Sequence, residues 1–385
     1  MKFLFIGLSS YYTEGMNYQD NAFCDILLDA GHDVTFISNP EAYVNGVKTY
    51  VGSCDKILSN RLRLIRVKYK FPTLLSKKLK IFDSIYDYIN NINPDIIYCH
   101  GTQYYNIHDV IKYKKSNYKV KVYADTHTGY YNASIDKWYF PILYKIYYRN
   151  LYKSIEPYLE KYFYIGSSDK EFSIKEYNAN ESKMYFLPLG GNAIDDKSYN
   201  NNRDRRRREL NIKDNDIMIL HSGKLDEKKN TDWLIETLNR INDERLKLVI
   251  IGNIPAENKK LFELINNNNN QKNIIYLGWR DSNDLLECIC ASDIYAQPGS
   301  PSVTLNNAIC YETPVIAYKH KLYSEFFGIN SIYWIKDKNE LESILNSFLT
   351  NISNLNNLKK NARNNKYILD YKINLFKAMN IEEKK

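Results

Sequence analysis

Ile294-Tyr295-Ala296-Gln297-Pro298-Gly299-Ser300-Pro301-Ser302-Val303-Thr304-Leu305-Asn306-Asn307-Ala308-Ile309-Cys310-Tyr311-Glu312-Thr313-Pro314-Val315-Ile316-Ala317 decides the fold. A strand-length apolar run is followed by a loop of small residues, an apolar run with helical spacing over 303–311 and a second short strand at 314–317. Continuous apolar strands separated by helices belong to parallel sheets covered on both faces. The alternation extends upstream, with strands at 217–220, 246–251, 274–277 and 293–296 and helices at 230–242, 259–267 and 283–290. Four strand-helix-strand units in a row predict a doubly wound domain.

The first half has the same character. Lys2-Phe3-Leu4-Phe5-Ile6 reads as a buried strand, a helix starts near Tyr18 and ends at Gly31-His32, and Asp33-Val34-Thr35-Phe36-Ile37 is the next strand. Further strands are expected at 63–67, 96–99, 120–124 and 161–165. The polar stretch 191–208, rich in Asn and Arg, has linker composition. The expected organisation is therefore α/β: a Rossmann-like domain over 1–190, a linker over 191–208, a second over 209–358, and a helix over 359–385 returning to the first. Two doubly wound domains joined in this way place their ligand-binding strand ends face to face across a cleft.

The 385 residues are 44% hydrophobic and 25% charged, too apolar for disorder. No apolar run has the 18 or more residues of a spanning helix, and the N-terminal run is too short for a signal peptide, so a cytoplasmic location is expected. The six cysteines form no C-x-x-C pair and read as buried thiols rather than a disulfide or zinc framework. The net charge of +8 is concentrated: 61–80 holds eight Lys and Arg and no acid. A basic run of this kind is either a solvated basic face or the partner of an anionic neighbour (nucleic acid, an anionic lipid surface or an acidic glycan), and charge alone does not choose between them. Nucleic acid is disfavoured because no nucleic-acid-reading motif accompanies the charge. Beside that run, 138–149 is aromatic, apolar and basic, which fits either a buried helix or the interface of an anionic membrane. The 35 tyrosines and the Asn run at 267–270 are compositional.

Two segments carry chemistry. Amides at the start of the 303–311 helix, with the hydroxyls of Ser300, Ser302 and Thr304, would form an anion site suited to a diphosphate, although Ser302 could equally be an N-cap. His221-Ser222-Gly223-Lys224-Leu225-Asp226-Glu227-Lys228-Lys229-Asn230 ends the second domain's first strand. Gly223 lets backbone approach a ligand, and Lys224 and Lys229 stand where cations would neutralise a departing diphosphate. Lysines at a helix start oppose the macrodipole and so call for such a reason.

The order Gly223-Lys224-Leu225 with Lys229, Leu248-Val249-Ile250-Ile251-Gly252-Asn253, Ile275-Tyr276-Leu277-Gly278-Trp279-Arg280, the run from Ala291 to Ser300 and Pro314-Val315-Ile316-Ala317 resembles the second domain of family 4 retaining glycosyltransferases (glycosyl transferases group 1) of the GT-B fold. In the first half the Gly15 loop, Ala30-Gly31-His32-Asp33-Val34, Pro94-Asp95-Ile96-Ile97-Tyr98-Cys99-His100 and Asp125-Thr126-His127 are similar to that family's landmarks. The resemblance implies a nucleotide-sugar donor clamped by Lys224 and Lys229, with 300–304 (Ser300, Ser302, Val303, Thr304) capping the phosphate. Asn253 and Arg280 would lie near the base, Gly15 would leave room for phosphate and sugar, and His127 would bond the transferred sugar. The family's two glutamates, eight residues apart, fall at Gly299 and Asn307; Asn307 keeps hydrogen-bonding capacity toward a ribose, whereas Gly299 removes a carboxylate. The Gln-Pro-Gly-Ser run is similar to variants from bacterial surface-glycan enzymes.

The implied function is transfer of a sugar, with retained configuration, from a nucleotide-diphosphate sugar to a glycan or lipid-linked glycan of a surface polysaccharide. It needs no metal and no cofactor, and it takes place in the cytoplasm, peripheral on the inner face of the membrane. The alternative is a non-catalytic nucleotide-sugar-binding or partner protein of the same fold.

Overall fold

The computed structural model describes residues 1–16, 18–44, 47–71, 74–268 and 273–382. Pro72 and Thr73 of the basic run, Asn269 and Asn270 of the asparagine run, and the last three residues of the expected C-terminal helix lie outside them. The chain divides into two compact units, Met1–Pro188 with Leu375–Lys385, and Leu189–Asn374.

The first unit holds β1 (Lys2–Gly7), β2 (Asp33–Ser38), β3 (Glu41–Val44), β4 (Val47–Tyr50), β5 (Cys54–Ile57), β6 (Arg63–Arg66), β7 (Ile96–Cys99), β8 (Lys121–Thr126), β9 (Lys161–Tyr164) and β10 (Met184–Phe186). Eight of them form one sheet in the order β10-β9-β8-β7-β1-β2-β6-β5, parallel except where β5 pairs with β6; β3 and β4 make a separate hairpin. Chain order reverses between β1 and β7, and that is where a doubly wound sheet opens a crevice. Leu4 and Ile6 enter the main core. The opposite face carries an aromatic strip in which Phe36 lies 6.2 Å from Phe5, Phe5 5.2 Å from Tyr98, and Tyr98 6.1 Å from Phe163. Part of the tyrosine excess is thus sheet packing. The hairpin, β5 and β10 add to the expected strands. Val47, Tyr50 and Ile57 are exposed, so these strands carry no alternating pattern for a sequence to reveal.

The second unit holds β11 (Ile217–Ser222), β12 (Leu246–Ile251), β13 (Ile274–Gly278), β14 (Ile294–Gln297), β15 (Val315–Tyr318) and β16 (Ile332–Ile335). Their order, β13-β12-β11-β14-β15-β16, is that of a dinucleotide-binding sheet, with every pairing parallel. Ile217 and Ile219 pack on one face with Leu234 and Leu238, while Met218 and Leu220 pack on the other with Leu305 and Ile309. Both faces are covered, hence the unbroken apolar strands.

The stretch 191–208 is not a linker: Asp196–Glu209 is a helix, capped by Asp195 accepting from the Ser198 amide at 2.9 Å. The arginines of this helix are largely engaged. Arg203 and Arg207 both reach Asp293, at 2.6 and 3.0 Å, and donate to carbonyls at the end of helix Ser282–Ala291; Arg206 pairs with Asp284 and Glu287. Composition hid the helix because its partners lie some 80 residues downstream. Toward the C-terminus, Ile352–Asn365 and Tyr371–Met379 are separate helices, where one continuous pattern was expected. Between them Lys366 is buried against Glu312 at 2.5 Å and Asp196 at 2.8 Å, which fixes the break. Within the first unit, Tyr123 donates to the Met379 carbonyl at 3.2 Å. Among the described residues no helix is long and apolar enough to cross a membrane.

Candidate functional site

In the second unit the strand order switches between β11 and β14, and a cavity of about 580 Å³ opens at the carboxyl ends of β11, β12 and β13 and reaches Thr304. Its lining includes Ser222, Gly223, Lys224, Gly252, Asn253, Trp279, Arg280 and Thr304. Of the residues singled out in the sequence, it therefore brings together Gly223, Lys224, Asn253, Arg280 and Thr304. Pro255, Glu257 and Leu285 complete the wall and carry no sequence signal.

Two glycines let the strand ends approach each other. Gly223 and Gly252 have φ of +138° and +141°, and a Cβ on Gly252 would fall 1.8 Å from the Gly223 carbonyl oxygen. No side chain fits there. A Cβ on Gly223 would meet the Lys229 side chain at 3.3 Å, so Lys229 lies directly behind the loop.

Lys229 is buried, and its ammonium donates to the carbonyls of Ser300 at 3.1 Å and Pro301 at 2.9 Å. Burial pushes its pKa down, against the pull of Asp226. A lysine ammonium has three donors, so one remains for a ligand oxygen. The loop is further tied by Ser300 N donating to the Lys228 carbonyl at 2.7 Å and Asn230 Nδ2 to Pro298 O at 3.1 Å. Lys224 is exposed at the cavity wall, with no ion pair among the described residues. The two lysines thus differ: one braces the loop, and the other projects freely.

Three of the amides around residue 303, expected to be unpaired, are engaged. Ser300 N is taken by Lys228 O, Ser302 N donates to the Tyr323 hydroxyl at 2.7 Å, and Thr304 N to Ser302 Oγ at 3.3 Å. The helix begins at Thr304 and runs seven residues to Cys310. Val303 is the N-cap, the Ser302 hydroxyl accepts from the Thr304 amide in a local turn just ahead of it, and Thr304 lines the cavity. Val303 is exposed, and Asn307 lies elsewhere, with its Oδ1 where a Cβ on Gly191 would fall. Neither lines the cavity.

Gly299 has a structural cause. A Cβ there would stand 2.2 Å from the Lys228 carbonyl oxygen and 2.5 Å from the Lys229 carbonyl carbon. The backbone of the lysine loop occupies the space any side chain at 299 would need.

Beneath the cavity floor lies a polar network that the sequence did not signal. His221 bridges β11 to β14: its Nδ1 donates to the Ala296 carbonyl at 2.7 Å, and Nε2 accepts from the Thr231 hydroxyl at 3.0 Å. Burial pushes its pKa down to about 4, so the ring is neutral. Tyr295 donates to Gln297 Oε1 at 2.8 Å, and Gln297 Nε2 to Ser300 O at 2.6 Å. Fully satisfied buried networks of this kind hold a loop in one geometry.

In the first unit, Gly15 occupies a turn with φ of +74° and no atom within 4 Å of a would-be Cβ. His127 bonds through Nε2 to Asp125 Oδ2 at 3.3 Å, and His100 through Nδ1 to the same oxygen at 2.9 Å. Tyr98 OH and Gly101 N also donate to this carboxylate, at 2.8 and 2.7 Å. Burial opposes charge on His100, but Asp125 and Asp20 outweigh it and raise its pKa to about 9; the two imidazoles hold Asp125 well below the usual carboxylate range despite its burial. Asp125, quoted in the sequence only as a landmark, is thus the hub that orients His127. The three residues offer possible metal-ligating atoms within 4.8 Å of one another, a grouping that no spacing in the sequence revealed. Five of the six cysteines are buried, and Cys54 is half-buried.

Residues 202–365 match the model of a family described as glycosyl transferases group 1. No curated protein matches this sequence. Solved structures are similar over nearly the whole chain. HepE of Anabaena, in complex with UDP, has a TM-score of 0.67 at 13% identity over 99% of this chain and 98% of its own. A glycosyltransferase from Rickettsia africae has 0.66 at 17% over 99% and 97%. WaaG, a glycosyltransferase involved in lipopolysaccharide biosynthesis, has 0.63 at 16% over 98% and 99%. At such identities the likeness is one of fold: two Rossmann-like units of the GT-B type.

Proposed function

Because the second unit carries a glycosyl transferases group 1 domain in a chain of GT-B fold, we propose that this protein is a retaining glycosyltransferase acting on a nucleotide-diphosphate sugar. The observation that carries the reading is the cavity at the carboxyl ends of the second unit's strands, where Gly223 and Gly252 bare the backbone and Lys224 stands at the wall with no ion pair among the described residues. A diphosphate laid along Gly223 meets backbone without steric obstruction, and the cation of Lys224 neutralises charge that builds on the leaving phosphate. Lys229 acts from behind the loop, holding 300–301 in place with two of its donors. Trp279 and Arg280 supply an aromatic face and a guanidinium suited to a nucleobase. HepE, a protein of like fold, is described in complex with UDP-glucose, which makes uridine nucleotides the first donors to try.

To His127 and Gly15 of the first unit we assign what the family resemblance implies, a hydrogen bond to the transferred sugar and room for it. Asp125 fixes the ring of His127. In a front-face displacement the leaving phosphate oxygen accepts the proton of the incoming hydroxyl, so the mechanism calls for no separate carboxylate base, no metal and no cofactor. The acceptor is a glycan or lipid-linked glycan of a surface polysaccharide, elongated in the cytoplasm at the inner face of the membrane. A non-catalytic nucleotide-sugar binder of the same fold is the other reading, and it draws on Gly299, where no carboxylate can stand.

A donor screen tests the choice. Purified protein is incubated with several nucleotide sugars and a membrane extract, and nucleoside diphosphate release is followed together with sugar incorporation. Release with incorporation supports transfer, and the Lys224→Ala, Lys229→Ala double variant should lose about 10² to 10⁴ of it. Binding without release from any donor selects the non-catalytic reading.

A further inference from the structure

We infer that helix Leu74–Leu79 and the segment 138–148 of the first unit together form a docking face for the surface of an anionic phospholipid bilayer. Pro141–Tyr148 is a wide π-type helix. Its inner side is spoken for: Leu143 and Tyr148 are buried, and Tyr144 stacks on Phe140 at 4.9 Å and meets Phe172 edge-on. Its outer side is apolar as well. Ile142 and Ile146, four apart on it, are each 57% exposed, and Trp138, in the turn just ahead of the helix, is 82% exposed. A helix apolar on both sides is not built for water alone.

The two segments, some 60 residues apart in the chain, are joined side by side. Tyr147 OH donates to the Leu79 carbonyl at 2.9 Å, Tyr148 OH to the Lys78 carbonyl at 3.2 Å, and Lys78 Nζ sits 3.5 Å over the Tyr139 ring. On the first helix Leu74 is 86% and Leu75 62% exposed. Five large apolar side chains on two adjoining segments exceed the scattered single exposures of an ordinary surface.

Charge selects the occupant. Neither 61–80 nor 137–149 contains an acid. Lys70, Lys78 and Lys137 have no ion pair among the described residues, whereas Lys77 and Lys145 are half-exposed and pair with Glu41 and Glu176. Lys80 does not belong to the face, since it turns to the Ser9 carbonyl at 3.2 Å. Tryptophan and aliphatic tips set among unpaired lysines match a bilayer's apolar edge and anionic headgroups. The inference rests on the proposed function only for its expectation of a lipid-linked acceptor.

The test is flotation of the full chain with phosphatidylcholine vesicles with and without phosphatidylglycerol. Binding is expected to the anionic vesicles and to weaken with salt. Trp138→Ser, Ile142→Ser, Ile146→Ser together should lower it about a hundredfold, and Leu74→Ser, Leu75→Ser about tenfold, with an unchanged circular dichroism spectrum and urea unfolding curve of the full chain as the sign of intact folding. The inference is overturned if wild type does not float with anionic vesicles, if the triple variant floats equally, or if sedimentation shows instead a self-associated dimer that the variant dissolves. Since the assay reads no sugar transfer, its failure and failure of the donor assignment are told apart.

Discussion

Gly299 stands where the family resemblance leads one to expect a glutamate, and the structure makes a definite statement about restoring a side chain there. A Cβ would lie 2.2 Å from the Lys228 carbonyl oxygen, 2.5 Å from the Lys229 carbonyl carbon and 2.6 Å from its oxygen, all below the 3.0 Å that real Cβ atoms respect. The obstruction is backbone, so no rotamer relieves it. The 228–229 segment must retreat by most of an ångström, which breaks the 2.7 Å bond from Ser300 N to Lys228 O and draws Lys229 from the Ser300 and Pro301 carbonyls. Overpacking strain costs about 1–3 kcal/mol and the lost hydrogen bond about 1, so Gly299→Ala should destabilise the second unit by about 2–4 kcal/mol. Trp233, Trp279 and Trp334 lie in that unit and only Trp138 in the other, so tryptophan fluorescence in a urea titration reports mainly on it. Nucleoside diphosphate affinity, measured by calorimetry, should fall about tenfold or more because the lysine loop is displaced. Gly299→Glu should be worse on both counts, even though it restores the family's residue. If Gly299→Ala unfolds at the wild-type urea concentration with unchanged affinity, or if Gly299→Glu gains turnover, the packing account of this glycine is wrong.

Three further outcomes follow from the geometry. His100 has a folded pKa raised from 6.5 to about 9, so its stabilisation is fully present below pH 6.5 and lost as pH rises through about 9; wild type should lose stability over that window, and His100→Gln should flatten the slope in urea midpoints read against pH. His221 has the opposite sign: its pKa is depressed from 6.5 to about 4, so its contribution is present above pH 6.5 and lost as pH falls through about 4, and the stability gap between wild type and His221→Asn should narrow on acidification. Asp293→Asn leaves Arg203, Arg207 and Lys359 facing a neutral amide and should cost about 3 kcal/mol in the same titration; a loss under 1 kcal/mol would show that the arginine helix Asp196–Glu209 is held by something else.

The fold was largely legible because buried parallel strands have to be apolar along their whole length. β11, β12, β14 and β15 are recognisable from residue type alone, and the glycines at 223 and 252 mark strand ends that must approach closely. The helix Asp196–Glu209 was not legible, since a run of Asn and Arg looks like solvent-exposed chain unless Asp284, Glu287 and Asp293 are known to lie beside it. The same holds for Asp125, whose two imidazole partners are distant in different senses: His127 is two residues away, but His100 arrives from the neighbouring strand. The small-residue loop at 298–303 was recognised as a site element, yet the amides of Ser300 and Ser302 there are used internally, by the Lys228 carbonyl and the Tyr323 hydroxyl.

By itself the sequence determined the periodic part of this protein: two doubly wound halves, a glycine-lysine loop after the second unit's first strand, and a basic run beside an aromatic stretch in the first. Those features depend on residue type at fixed short spacing, which local geometry translates directly into strand, helix and turn. Only the tertiary structure decided which of two nearby lysines is buried behind the loop and which stands in the cavity, why 299 is glycine, and that 74–79 and 138–148 share one face. Each of those depends on what long-range packing sets beside a side chain, on excluded volume and on unpaired charge, and short spacing along the chain carries no record of such neighbours.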